Sequence, residues 1–292
     1  MLRRSSVFTA ALLTALAIEL ASASEQPPRI RINYLAYPVH WSDKAIEIGG
    51  RLQVPLDVAG KVPAVVILHG TLGVAYTGIY YAEALNRAGI STLEIDQWGG
   101  RGLQGGAASR PKGLADNLSD VAGAYRLLAA RPEIDSDRIG LMGSSMGGIE
   151  TMLMMTRRNS DAVLGPGVHF RAAVALYPAC WLYNHAPGAD FSDLVDAPVR
   201  ILVGSEDDYE DRPDSCEGVV RDLSPGDAAH LSVHVFPGAT HLFDSFDGSR
   251  EYQDPAAHAR KGGVVRVQPD AQVREQARDD LVRFFETAFK LK

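Results

Sequence analysis

One stretch constrains the chain more than any other. Arg138-Ile139-Gly140-Leu141-Met142 is an apolar strand that runs directly into Gly143-Ser144-Ser145-Met146-Gly147-Gly148, and an apolar helical segment follows. Gly-x-Ser-x-Gly in that setting holds a serine on a sharp strand-to-helix turn with its hydroxyl exposed. The flanking glycines are needed because so tight a turn leaves no room for a Cβ on both sides of the serine. A helix that starts just after Ser145 aims unpaired N–H groups at the same point.

The surrounding pattern supplies a scaffold for such a turn. Apolar runs at Ala64–His69, Ile90–Ile95, Arg138–Met142, Ala172–Tyr177, Val199–Val203 and Leu231–Phe236 read as strands, mostly buried on both faces. Two further β-like runs precede them, Ile30–Tyr37 and Ala45–Val54. Helical segments are expected at Thr77–Ala88, Leu114–Ala130, Met146–Arg157, Ser215–Leu223 and Ala271–Lys290. Alternating strands and helices imply an α/β architecture, a mostly parallel sheet covered by helices on both faces. Residues 245–270 are polar, contain Gly and Pro, and read as a loop excursion. With no internal repeat or low-complexity linker, 24–292 is expected to form a single domain.

Residues 1–23 stand apart. Arg3 and Arg4 precede an apolar run from Val7 to Ile18, and Ala21-Ser22-Ala23 fits a small-residue cleavage pattern. This reads as a signal peptide cut after Ala23, and hence as export to the periplasm or the medium. As a helix the run would span about 18 Å, short of a hydrocarbon core of about 30 Å, so stable membrane insertion is not expected. In an exported chain the two cysteines, Cys180 and Cys216, suggest one disulfide, the alternative being two buried thiols. The formal charge of −7 and the absence of a Lys/Arg block argue against a nucleic-acid partner.

A serine hydroxyl is a poor nucleophile at neutral pH and needs a base, itself oriented by an acid. On a strand-turn-helix scaffold the order along the chain is Ser, then Asp or Glu, then His. His241 is the expected base because it follows the last core strand, where open α/β sheets place functional side chains. His69 precedes the serine, His234 sits inside a strand pattern, and His169 and His185 remain competitors. Asp207, at the end of Ile201-Leu202-Val203-Gly204-Ser205-Glu206-Asp207-Asp208, is the expected acid, with Asp208 and Glu206 as close rivals. Two backbone N–H groups must receive the oxyanion; Met146, next to the serine, and Thr71, in the turn His69-Gly70-Thr71-Leu72-Gly73, are expected to provide them. Trp98, Trp181 and Tyr209 lie in loops expected around a substrate pocket.

Gly100-Arg101-Gly102-Leu103-Gln104-Gly105 matches a dinucleotide fingerprint, but Pro111 follows and no helix opens from it. No Cys/His grouping has zinc spacing. Neither a cofactor nor a metal is expected.

Five separated stretches are similar, in order, to the dienelactone hydrolase family of the α/β-hydrolase fold. They are Val65-Val66-Ile67-Leu68-His69-Gly70, Asp96-Gln97-Trp98-Gly99-Gly100-Arg101-Gly102, Gly143-Ser144-Ser145-Met146-Gly147-Gly148, Gly204-Ser205-Glu206-Asp207-Asp208 and Gly238-Ala239-Thr240-His241-Leu242-Phe243-Asp244. The resemblance implies Ser145, Asp207 and His241 as a triad, and implies that Arg101 organises the loop beside the pocket. The family's founding members carry a cysteine where this chain has Ser145, so a dienelactone substrate does not carry over. Cys180 and Cys216 flank the presumed site, where a bridge would brace the acid-bearing loop. The expected activity is hydrolysis of small carboxylic esters or lactones through an acyl-enzyme. Alternatives are a peptidase or polyester hydrolase on the same triad, or a binding protein that keeps the fold without turnover.

Overall fold

The computed structural model describes residues 27–41 and 44–291. The expected leader, 1–23, lies outside them. Eight strands form one sheet in the spatial order β1-β2-β4-β3-β5-β6-β7-β8. They are β1 (Ile30–Trp41), β2 (Lys44–Pro55), β3 (Val62–Leu68), β4 (Ser91–Asp96), β5 (Ile134–Ser144), β6 (Ala173–Leu176), β7 (Val199–Glu206) and β8 (Leu231–Thr240). β1 and β2 pair antiparallel, β2 joins β4 antiparallel, and every pairing from β4 to β8 is parallel. All seven residues of β3 are buried, which explains its uninterrupted apolar sequence.

Between the strands run α1 (Tyr76–Arg87), α2 (Leu118–Ala129), α3 (Met146–Met154), α4 (Arg157–Leu164) and α5 (Ser215–Asp222); α6 (Ala271–Ala288) closes the chain. α1 packs against α6, while α2 and α3 pack against α4. The periodic positions Ala277, Leu281 and Phe285 of α6 are buried. Burying a side chain such as Phe285 stabilises the fold by about 2–3 kcal/mol. Among the described residues no helix is long and apolar enough to cross a membrane.

Three local expectations need correction. The helix expected over Met146–Arg157 is two helices, because Thr156 adopts an extended backbone and its side chain accepts from Asn159 N, starting a new helix at Arg157. The helix expected from Leu114 begins only at Leu118, after turns over 113–117. The stretch 245–270 is not an irregular loop: β9 (Arg250–Asp254) and β10 (Gly263–Val267) pair as an antiparallel hairpin. Its Val265 and Val267 bury against Tyr209 and Ala257 in a small apolar cluster of their own. That contact lies far along the chain, so local composition gave no sign of it.

Cys180 and Cys216 are joined by a disulfide. It ties the segment after β6 to α5, which follows the loop at the end of β7.

Candidate active site

β3 and β5 lie side by side with Leu68 opposite Gly143, so their C-terminal loops emerge together. Beyond β5 the backbone turns sharply. Ser145 has φ 53° and ψ −115°, a conformation costing a non-glycine residue about 1–3 kcal/mol, and α3 begins at the next residue. Ser145 N donates to Leu176 O at 2.9 Å, fastening the turn to β6. A Cβ on Gly143 would lie 2.2 Å from Gly147 O, and one on Gly147 would lie 2.7 Å from His69 O. Both glycines are therefore steric requirements of the turn.

The three residues selected from the sequence meet there. His241 Nε2 lies 3.0 Å from Ser145 Oγ, and His241 Nδ1 lies 2.7 Å from Asp207 Oδ2. The other Asp207 oxygen accepts Tyr209 N at 2.9 Å, which fixes the carboxylate plane. Asp208 turns the other way: its carboxylate binds the Arg266 guanidinium and Arg266 N, holding β10. Glu206 pairs across the sheet with Thr240 as the last residue of β7.

The imidazole of His241 is held between two rings. Tyr177 and Tyr209 lie with centroids 4.7 Å and 4.4 Å from it. Tyr177 in turn donates to Asp244 at 2.7 Å, and Tyr81 donates to the other Asp244 oxygen at 2.8 Å. Asp244 is fully buried, and burial pushes its carboxyl above the usual range against these two hydrogen bonds.

The other histidines have different duties. His69 Nδ1 faces Gly70 O and its Nε2 accepts from Gln97 N, an arrangement that requires neutral imidazole; burial lowers its pKa accordingly. His234 faces Asp280, while His169 and His185 face backbone carbonyls. The turn after β3 is anchored through the Thr71 carbonyl, which accepts from both Gly106 N and Trp98 Nε1. Met146 is the first residue of α3, so its N–H lies in the unpaired first turn.

A cavity of about 310 Å³ opens at Ser145 and His241 and is lined by Thr71, Tyr209, Tyr81, Met142 and Glu94 among others. Of the residues expected around the pocket, Tyr209 lines this cavity, as does Thr71. Trp98, Arg101 and Trp181 do not line this cavity. Trp98 is buried behind the turn, its indole N–H spent on Thr71 O. Arg101 makes a bidentate pair with buried Asp120 at 2.7 and 3.0 Å and donates to Gln97 O, so it braces the loop from behind. Gln97 continues that network to Glu150, whose pKa burial pushes up to about 8. Trp181 is drawn away because its N–H, with that of Cys180, is bound by the Glu210 carboxylate beside the disulfide. Glu210 is itself pushed up to about 8, by burial and by nearby Asp207.

The sequence reading missed the wall supplied by the hairpin. Arg110 binds Asp254 of β9 through both terminal nitrogens, and Tyr209 Oη donates to the same carboxylate at 2.7 Å. Arg110, Arg250, Tyr252 and Asp254 all line the cavity. It also missed Glu94, although a lone carboxylate inside an apolar strand was a visible signal.

The Gly100-x-Gly102 segment forms a short 3₁₀ turn followed by Gly102 in the left-handed region, and no α-helix opens from it. Cys180, Cys216 and Glu210 form the one cluster of metal-ligand residue types found among the described residues, and its sulfurs are in the disulfide.

This sheet order, sharp serine turn and late histidine loop define the α/β-hydrolase fold. The sequence family described as serine aminopeptidase, S33, matches residues 61–195. No curated protein sequence matches the chain. A dienelactone hydrolase-like promiscuous phosphotriesterase from metagenomic libraries has a similar structure, with TM-score 0.62 and 20% identity, covering 87% of this chain and 98% of that one. Esterase 2 of Thermogutta terrifontis, phosphorylated by paraoxon, is similar with TM-score 0.59 and 16% identity over 87% of this chain and 94% of its own. An α/β-hydrolase from a Medee basin deep-sea metagenome gives TM-score 0.60 and 16% identity over 89% and 98%. The chain has the α/β-hydrolase fold and is similar to dienelactone hydrolase-like proteins within it.

Proposed function

We propose that the protein is an exported serine hydrolase that cleaves carboxylic esters or lactones through an acyl-enzyme on Ser145. The observation that carries this reading is the unbroken contact line from Asp207 through His241 to Ser145 Oγ, at 2.7 and 3.0 Å, opening into a cavity. His241 Nε2 takes the hydroxyl proton as Ser145 Oγ attacks the carbonyl carbon. Asp207 holds the tautomer with its proton on Nδ1 and stabilises the imidazolium. The oxyanion is received by the N–H groups of Thr71 and Met146. His241 then protonates the departing alcohol. Water, deprotonated by the same imidazole, attacks the acyl-enzyme and regenerates Ser145. Tyr177 and Tyr209 keep the imidazole from rotating out of line.

The disulfide is consistent with export, since such bonds persist in oxidising compartments. A fluorophosphonate probe tests the mechanism: it should label the wild-type protein and leave Ser145→Ala unlabelled. p-Nitrophenyl acetate turnover should be lost in the same variant. An unlabelled wild type would instead mark a binding protein. The match to a family described as an aminopeptidase supports a second reading, peptide hydrolysis on the same three residues. Faster turnover of aminoacyl p-nitroanilides than of any ester would favour it.

A further inference from the structure

Glu94 is a carboxylate in the middle of β4, with a side chain only 5% exposed, and the proposed chemistry gives it no task. Its neighbours in register are Arg51 on β2 and Ile67 on β3, and Ile67 is in turn opposite Met142 on β5. Residues in register share a face of the sheet. That row forms part of the cavity floor, since Glu94, Ile67 and Met142 line the same cavity as Ser145 and His241.

The two oxygens of Glu94 differ. Oε2 accepts from the Arg51 guanidinium at 2.8 Å. Among the described residues no donor reaches Oε1. The first turn of α1 crosses directly over that oxygen: a Cβ on Gly78 would lie 1.9 Å from it. A side chain there would have to push the carboxylate aside, so Gly78 leaves Oε1 its present place beside the helix. Burial pushes Glu94 above the usual carboxylate range despite its ion pair with Arg51.

We propose that Glu94 is a specificity residue, its Oε1 accepting a hydrogen bond from a hydroxyl group at the distal end of an ester or lactone whose carbonyl lies at Ser145. Two strand spacings and the register offset put the two backbones roughly 10–15 Å apart, the reach of a medium-chain substrate. The stretch between is apolar, with Ile67 and Met142, and suits a methylene chain. The recognised group is a neutral hydroxyl rather than an ammonium because Arg51 already balances the carboxylate charge. This inference rests on the proposed esterase reading.

The test uses medium-chain p-nitrophenyl ω-hydroxyalkanoates against their methyl-terminated counterparts of equal length. Acetate esters of medium-chain diols cover the opposite binding direction, and ω-amino analogues form a third set. In one of the first two series wild type should favour the hydroxyl-terminated ester by about 10- to 100-fold in kcat/KM. Glu94→Gln, whose single oxygen stays with Arg51 while its amide N–H can donate to the same hydroxyl, should retain the preference; Glu94→Met should erase or invert it. Each ratio is taken within one variant, with competent sites counted by fluorophosphonate labelling, so partial misfolding does not alter it. Equal rates on hydroxyl and methyl termini, or a preference that survives in Glu94→Met, would overturn the proposal and leave Glu94 as a partner for Arg51. A preference for the amine would overturn the hydroxyl assignment. Absence of any ester turnover by wild type would instead sink the esterase reading.

Discussion

Asp207 and Asp208 are adjacent in the chain and serve different structures. Asp207 reaches His241 at 2.7 Å, while Asp208 clasps Arg266 on the hairpin. The end of β7 thus orients the imidazole with one carboxylate and anchors the cavity wall with the next.

This division predicts distinct kinetics. Asp207→Asn should lower kcat by about 10²–10⁴, because the amide no longer selects the productive tautomer. Asp208→Asn should leave the chemical step intact and loosen β10, visible as faster proteolysis of the hairpin. Steady-state kinetics with limited proteolysis on both variants checks the pair; equal losses of kcat would assign the acid wrongly.

Gly147→Ala should be far more damaging than an ordinary helix-start substitution. Its Cβ would meet His69 O at 2.7 Å and Leu68 O at 2.8 Å, backbone atoms of β3 and the turn beyond it. A loss of roughly 3 kcal/mol or more in denaturant unfolding is expected, since overpacking here must move β3.

Arg101→Met removes the partner of a buried carboxylate, Asp120. Breaking such a pair costs about 3–5 kcal/mol. Residual folded enzyme should bind short esters with KM little changed, because Arg101 does not line the cavity. A large rise in KM with stability intact would return Arg101 to the pocket.

The Arg110–Asp254 clamp gives a pH signature. Burial raises the Asp254 carboxyl, but hydrogen bonds from Arg110, Ala256 N and Tyr209 outweigh it and hold the group down at about 2. A folded pKa below the unfolded value contributes stability above the unfolded pKa, near 3.9, and loses it as pH falls toward 2. The melting-temperature difference between wild type and Asp254→Asn should therefore be constant from neutrality to about pH 5 and shrink below pH 4.

Reduction of Cys180–Cys216, separated by 36 residues, should cost about 4 kcal/mol by chain-entropy reasoning. For a protein of this size that corresponds to a fall of roughly 8–16 °C in Tm. Calorimetry of Cys180→Ser/Cys216→Ser measures it, and no shift would mean that the bridge adds nothing to the brace supplied by Glu210.

The order of strands and helices, the serine turn and the Ser–Asp–His sequence were legible because each is written locally. Apolar runs mark buried strands, and glycines mark the places where backbones must approach. Leu118, Thr156 and the β9–β10 hairpin were misjudged for the opposite reason: their boundaries depend on capping and on Tyr209, residues whose partners are distant or whose competition with helix propensity is close.

The chain's own order of residues therefore determined the layered sheet, the nucleophile turn and which residue types would meet at it. Folding alone decided which of two neighbouring aspartates faces His241, that Arg101, Trp98 and Trp181 stand behind or beside the cavity, and that Glu94 opens into it. Those choices are matters of side-chain direction and of contacts between segments distant in the chain, such as Arg110 and Asp254, 144 residues apart, and no short-range pattern encodes them.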